Sequence, residues 1–233
     1  VHGYRTDLKA RGGADAVVPE RRLERYDRPI PHSFASTGSG RVYFGNVGGS
    51  VGRQVAAAMR GGGIETVFVG PSDEEALRCG QAECSGKECL PYQLLWGSLV
   101  RFLESGGLAP GERAVLMSVG NGFRSCRANM FPLTQQIALE RRGLGDRLAV
   151  ADLSLLTDSL VLTPVVWAGL VANDLLLMVR FYNRATEARA GSCDELFAHW
   201  SDELEHTLEQ RDGRPGGAAA AVARTLRRVE RVV

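Results

Sequence analysis

Cys79, Cys84, Cys89, Cys126 and Cys193 are the residues of this 233-residue chain whose type and spacing could do chemistry. Three of the five fall in the pattern Cys79-x4-Cys84-x4-Cys89, far denser than a random scatter would place them. Thiolates are soft ligands that hold Zn²⁺ or the irons of an iron–sulfur cluster. The spacing matches neither the paired CxxC of zinc sites nor a ferredoxin run, so by itself it leaves the metal open. An odd count without a leader reads poorly as a disulfide framework. The candidate metal ligands are therefore Cys79, Cys84, Cys89 and Cys126. Cys193, in a helix-starting segment away from the others, reads as structural. Simple burial is the competing reading, because Cys is among the most buried residue types. It applies most to Cys79, which the end of an amphipathic helix can bury.

Elements that would position these thiols follow from hydrophobic periodicity. The run RVYFGNV at residues 41–47, IETVFVG at 64–70, AVLMS at 114–118 and Leu148–Ala151 read as four strands. Between them, helical spacing covers Ser50–Arg60, a segment opened by Ser72-Asp-Glu-Glu75 as a capping box, Tyr92–Glu104 behind Pro91, and Pro132–Arg142. Alternating strands and helices at this spacing predict an α/β domain of parallel-sheet, Rossmann-like βα units. After Thr163-Pro164 only helices are expected: Val165–Arg184, Asp194–Glu209 behind a second capping box at Ser192–Glu195, and Ala218–Val232. The organisation read from this is a linker or wrapped arm over 1–40, with one helical turn near Glu20–Tyr26. A cysteine-bearing α/β domain over 41–160 and a helical region over 161–233 follow.

In a parallel sheet the loops leaving the strand carboxyl ends converge on one rim. Cys84 and Cys89 follow one βα unit and Cys126 follows the next strand, so the three could meet there. Cys89 stands at a helix start, where unpaired N–H groups favour a thiolate. Arg124 and Arg127 flank Cys126, and glycines 86, 120 and 122 would let backbone N–H groups approach inorganic sulfide.

Against these features stand signals that exclude other classes. Lys+Arg 28 against Asp+Glu 27 leaves no basic excess with which to bind nucleic acid by bulk charge. The most apolar window, Leu160–Val179, carries Asn173 and Asp174, so a buried helix rather than a membrane span is expected. With no leader visible, the expected location is cytoplasmic. The loop Gly45–Gly52 could cradle a phosphate, but it is neither GxGxxG nor a Walker loop and reads as a tight turn. His2, His32, His199 and His206 show no metal-like spacing with the cysteines, and Asp152 and Asp158 read as caps.

Two stretches carry a family resemblance: Ser85-Gly-Lys-Glu-Cys-Leu-Pro-Tyr-Gln-Leu-Leu-Trp-Gly97, and Phe123-Arg-Ser-Cys-Arg127 ahead of a helix with Gln135. The tail Trp167-Ala-Gly-Leu-Val-Ala-Asn-Asp-Leu175, then Arg180, Glu187, Gly191 and Asp194, adds to it. Over about residues 41–210 the chain resembles the 2-hydroxyacyl-CoA dehydratase / benzoyl-CoA reductase superfamily, in its activase-related branch of large activators. The resemblance implies that Cys89 and Cys126 are ligands of an iron–sulfur cluster, [4Fe–4S] or related, with Cys84 and Cys79 as further donors. It also implies low-potential electron transfer coupled to an actin-like ATPase domain or subunit, in reductive acyl-CoA chemistry. Whether this chain touches the acyl-CoA substrate, or pairs as a homodimer around one cluster, stays open. The chain departs from the family in reading Arg-Ser-Cys-Arg where Gly-Pro-Cys-Arg is usual, and it shows no ATPase phosphate loop. The alternative is a non-catalytic interaction or Zn-binding module that kept the fold.

Overall fold

The computed structural model describes residues 40–45, 49–120, 126–152 and 162–210, with 220, 222–224 and 226–228 of a C-terminal helix. Four short strands, β1 (Arg41–Phe44), β2 (Glu65–Phe68), β3 (Ala114–Ser118) and β4 (Leu148–Asp152), form one sheet in the order β2-β1-β3-β4. Every pairing is parallel, with Tyr43 level with Val67 on one side and Leu116 on the other. The expected α/β architecture is thus present: alternating βα units followed by long C-terminal helices.

A parallel sheet must be covered on both faces, and the strand period of two sorts the side chains accordingly. Val42, Phe44, Val115, Met117 and Ala151 point to one face. There they pack against α1 (Val51–Gly61), α5 (Leu162–Asn183) and α6 (Ser192–Glu209). Tyr43, Ala114, Leu116, Leu148 and Val150 point to the other face. Their partners come from α3 (Leu90–Glu104) and α4 (Phe131–Arg141), with α2 (Glu74–Glu83) packed on α3. The long C-terminal helices share a core with the strands, since Val165, Ala172, Leu176, Leu204 and Leu208 join the first cluster.

Two helix starts differ from expectation. The cap of α2 is Asp73, whose carboxylate accepts from the Ala76 N–H at 2.8 Å, while the Ser72 hydroxyl faces Ser98 Oγ at 3.4 Å. Asp and Ser cap about equally well, and Asp73 lies one residue nearer the helix. At α6 the cap is Gly191 in a left-handed conformation, so Ser192 is already helical. Glu187 supplies the missing acceptor from outside, taking the Gly191 and Cys193 N–H groups at 3.0 and 3.1 Å. The arm over 1–40 except Gly40, the segment with Arg124 and Gly122, and Asp158 lie outside the described residues.

Candidate functional site

Cysteines frame the turn between α2 and α3: Cys84 is the C-cap of α2 and Cys89 the N-cap of α3. The two helices form an antiparallel hairpin so close that only glycine fits at the crossing. A Cβ on Gly97 would lie 1.6 Å from the Ala76 carbonyl oxygen, and one on Gly80 would lie 1.9 Å from that of Gln93. The turn itself is held by its own carboxylate. Glu88 accepts from Ser85 Oγ at 3.0 and 3.1 Å and from the Lys87 N–H at 3.1 Å, with Gly86 supplying the left-handed residue. Gln93 Nε2 donates to the Glu88 carbonyl at 3.0 Å and fixes the turn to the first turn of α3.

The strand β3 delivers the third thiol. Cys126 is the N-cap of a short 3-10 turn, Arg127–Met130, that leads into α4. Its exposed sulfur accepts from the Ala128 N–H at 3.5 Å. Arg127, beside it, reaches across to the Lys87 carbonyl at 3.2 Å. That bond ties the Cys126 segment to the Cys84–Cys89 turn across forty residues of sequence. Edge-on packing of Tyr92 on Phe131, with centroids 5.1 Å apart, holds the starts of α3 and α4 together behind it.

Between the turn and the face of α4 lies a cleft of about 590 Å³, lined by Cys84, Ser85, Glu88, Leu133, Ile137 and Arg141 among others. Glu83 forms part of its wall, where it accepts from Trp96 Nε1 at 2.9 Å and Arg142 Nε at 3.1 Å. The Arg142 hydrogen bond holds the Glu83 carboxyl below its ordinary range, although partial burial pushes the other way. Cys84 is driven in the opposite sense. Burial, with the Glu88 and Glu83 charges adding to it, pushes its thiol up to about 11. Cys84 is thus a protonated thiol at neutral pH, and only a bound cation would reverse that preference.

The four expected ligands are therefore placed unequally. Cys84, Cys89 and the Cys126 segment belong to one region of the rim. Cys79 sits within α2, five residues before Cys84, packed with Cys84 and Cys89 against the core. Cys193 lies on the first turn of α6 by Glu187, on the other face of the sheet. All five cysteines are free thiols. Among the described residues, no three His, Cys, Asp or Glu side chains stand close enough to hold one metal ion. A tetrahedral Zn²⁺ with 2.3 Å bonds keeps its sulfurs within about 3.8 Å of each other, whereas a cluster with one thiolate per iron spaces them more widely.

Sequence reasoning missed the Arg127–Lys87 bridge and the Glu83 contacts with Trp96 and Arg142. Arg127 offered a signal as a charge beside Cys126, but its reach to a backbone carbonyl depends on the fold. Against models of known families, curated proteins and solved structures, the chain finds no match.

Proposed function

We propose that the rim bearing Cys84, Cys89 and Cys126 is a thiolate site for an iron–sulfur cluster, [4Fe–4S] or related. In this reading the chain is the electron-transfer component of an acyl-CoA dehydratase or reductase activation system, working with an actin-like ATPase domain or subunit. The carrying observation is the Arg127 hydrogen bond to the Lys87 carbonyl, which sets two thiol-bearing segments of distant sequence side by side. The donor chemistry fits the group: free thiols on two segments of one rim, one of them already accepting a backbone N–H at its sulfur. When bound, such a cluster supplies one-electron transfer at a potential tuned by N–H···S bonds and exposure.

Cys89 and Cys126 would hold the group, with Cys84 giving up its proton on binding. Cys79, in α2 and packed against the same core cluster, would be the further donor. Arg127 keeps the two segments in register, and its guanidinium offsets negative charge brought by thiolates. Anaerobic reconstitution with ferrous iron and sulfide tests this reading. The expected protein is brown and holds iron and acid-labile sulfide, with both lost in Cys89→Ser and Cys126→Ser and kept in Cys193→Ser. Colourless protein after reconstitution, or zinc bound in preference to iron, overturns it and leaves the interaction module.

A further inference from the structure

We propose that the outer face of α5 is a self-association surface on which a second copy of this chain docks, helix against helix. Among the described residues, eight large hydrophobic side chains are exposed, and six of them lie on this one helix: Trp167, Val171, Leu175, Met178, Phe181 and Tyr182. Three are aromatic, with Trp167 at 66 %, Phe181 at 63 % and Tyr182 at 87 % exposure. Their spacing of three and four residues keeps them on one side of the helix. The opposite side is committed elsewhere, since Val165, Gly169, Ala172 and Leu176 are buried against α1 and α6.

Area decides for a protein partner of the same size class. Aromatic side chains expose about 150–250 Å² each when free, so the six residues offer on the order of 600–700 Å² of apolar surface. A stable pair needs about 800 Å² from each partner, which the stripe and its rim would supply. The order of residues suits a two-fold axis. An antiparallel copy centred between Asp174 and Leu175 sets Trp167 against Tyr182 and Val171 against Met178, which is the self-complementarity an isologous interface requires.

Asp174 is the one exposed charge within the stripe and would lie beside its own copy near that axis. Arg180 lies at the edge of the stripe, bonded to Asp194 at 2.7 Å and stacked over Phe197 and Phe181 at 5.1 and 5.4 Å. The helix with its following turn, Leu162–Thr186, is also long and apolar enough to cross a membrane, its most apolar 18-residue window having a mean hydropathy of 1.7. Its inner side belongs to the protein core, however, so a lipid surface would meet the same single stripe and Asp174 with it.

Sedimentation equilibrium of the full chain is the test, and it reads nothing of the metal. A reversible dimer with a micromolar dissociation constant is expected, weakened about tenfold or more by Met178→Glu and by Tyr182→Glu. Both side chains are exposed, and an unchanged circular dichroism spectrum and melting temperature confirm that each variant folds. Asp174→Asn should tighten the dimer severalfold by removing like-charge repulsion, whereas a basic foreign partner would lose affinity. A chain that stays monomeric at about 100 µM overturns the proposal. So does a dimer indifferent to both glutamate variants, or a monomer that floats with phosphatidylcholine–phosphatidylglycerol vesicles.

Discussion

The two faces of the sheet are closed by different means. On the cysteine face, α2 and α3 meet backbone to backbone at Gly80 and Gly97, and no side chain separates them at the crossing. On the other face, among the described residues, such a close backbone approach occurs only at a helix end, where a Cβ on Gly61 would lie 2.1 Å from the Leu208 carbonyl oxygen. The mid-helix glycine of α5, Gly169, meets side-chain atoms of Leu208, the nearest at 3.0 Å from where a Cβ would be. There α1 and α6 are laced by charge: Arg53 pairs with Asp202, and Arg60 pairs with Glu205 and Glu209. The first arrangement fixes one geometry for the turn that carries the thiols. In the second, the middle of α5 rests on side chains that can adjust, and its outer face is left open to a partner. A site that must hold donors in place and a surface that must accept a neighbour make different demands on packing.

Paired glycine substitutions would break that comparison most visibly. Alanine is favoured over glycine in a helix interior by about 1 kcal/mol, so propensity alone predicts stabilisation at both positions. Gly97→Ala should instead cost about 3 kcal/mol or more, because its Cβ cannot coexist with the Ala76 carbonyl without parting the helices. Gly169→Ala should stay within about 1 kcal/mol of the parent, since a leucine side chain can rotate away. Urea unfolding measures both, and similar effects from the two would sink the contrast.

A smaller effect separates the ionic seams. Arg60 donates to Glu209 at 2.7 Å, to Glu205 at 2.9 Å and to the Thr66 carbonyl at 3.0 Å, so it ties α6 to the edge of the sheet. Arg60→Ala should cost about 1–2 kcal/mol, shrinking in roughly 1 M salt as the charges are screened. On the cysteine face, Arg142→Ala should cost about 1 kcal/mol, with its own pH signature. The Arg142 hydrogen bond lowers the Glu83 pKa, so its stabilisation is present above the ordinary value of 4.5 and is lost as pH falls below it. The variant should therefore lose less stability between about pH 5 and pH 3 than the parent does. Equal acid limbs in the two proteins would remove Arg142 as the cause.

Much of this frame was legible from residue types. Short runs dominated by apolar residues marked all four strands, β-branched and aromatic in β1 and β2 and aliphatic in β3 and β4, because a strand covered on both faces reads as a near-continuous apolar run. Pro91 marked the start of α3, although the helix begins one residue earlier at Leu90. The caps of α2 and α6 were misplaced because neighbouring residues can serve the same N–H groups, and only the tertiary path chooses Asp73, or Glu187 from outside the helix. In the site, proximity of Cys84 and Cys89 followed from chain distance. The tie between their turn and the Cys126 segment depends on Arg127 finding a carbonyl forty residues away, which no local pattern encodes. The raised thiol of Cys84 was equally hidden, since it depends on how deeply the cap sits and on which way Glu83 and Glu88 point.

That thiol carries the smallest and most specific prediction. Cys84 ordinarily titrates near 9.0, and burial lifts it to about 11 in the folded chain. The folded state thus holds the proton more tightly than the unfolded one. Its contribution to stability is complete below the ordinary value and is lost as pH rises from about 9 through 11. Tyr92, also raised chiefly by burial, works in the same direction at higher pH. Cys84→Ser should flatten the alkaline decline in urea midpoint, while Glu88→Gln should change it less, because burial is the larger cause. Thiol by thiol, iodoacetamide at about pH 8 should modify exposed Cys126 well before Cys84, since the thiolate is the reactive form. If Cys84 reacts as fast as Cys126, the turn is open to water, and the closed packing assigned to the cysteine face is wrong.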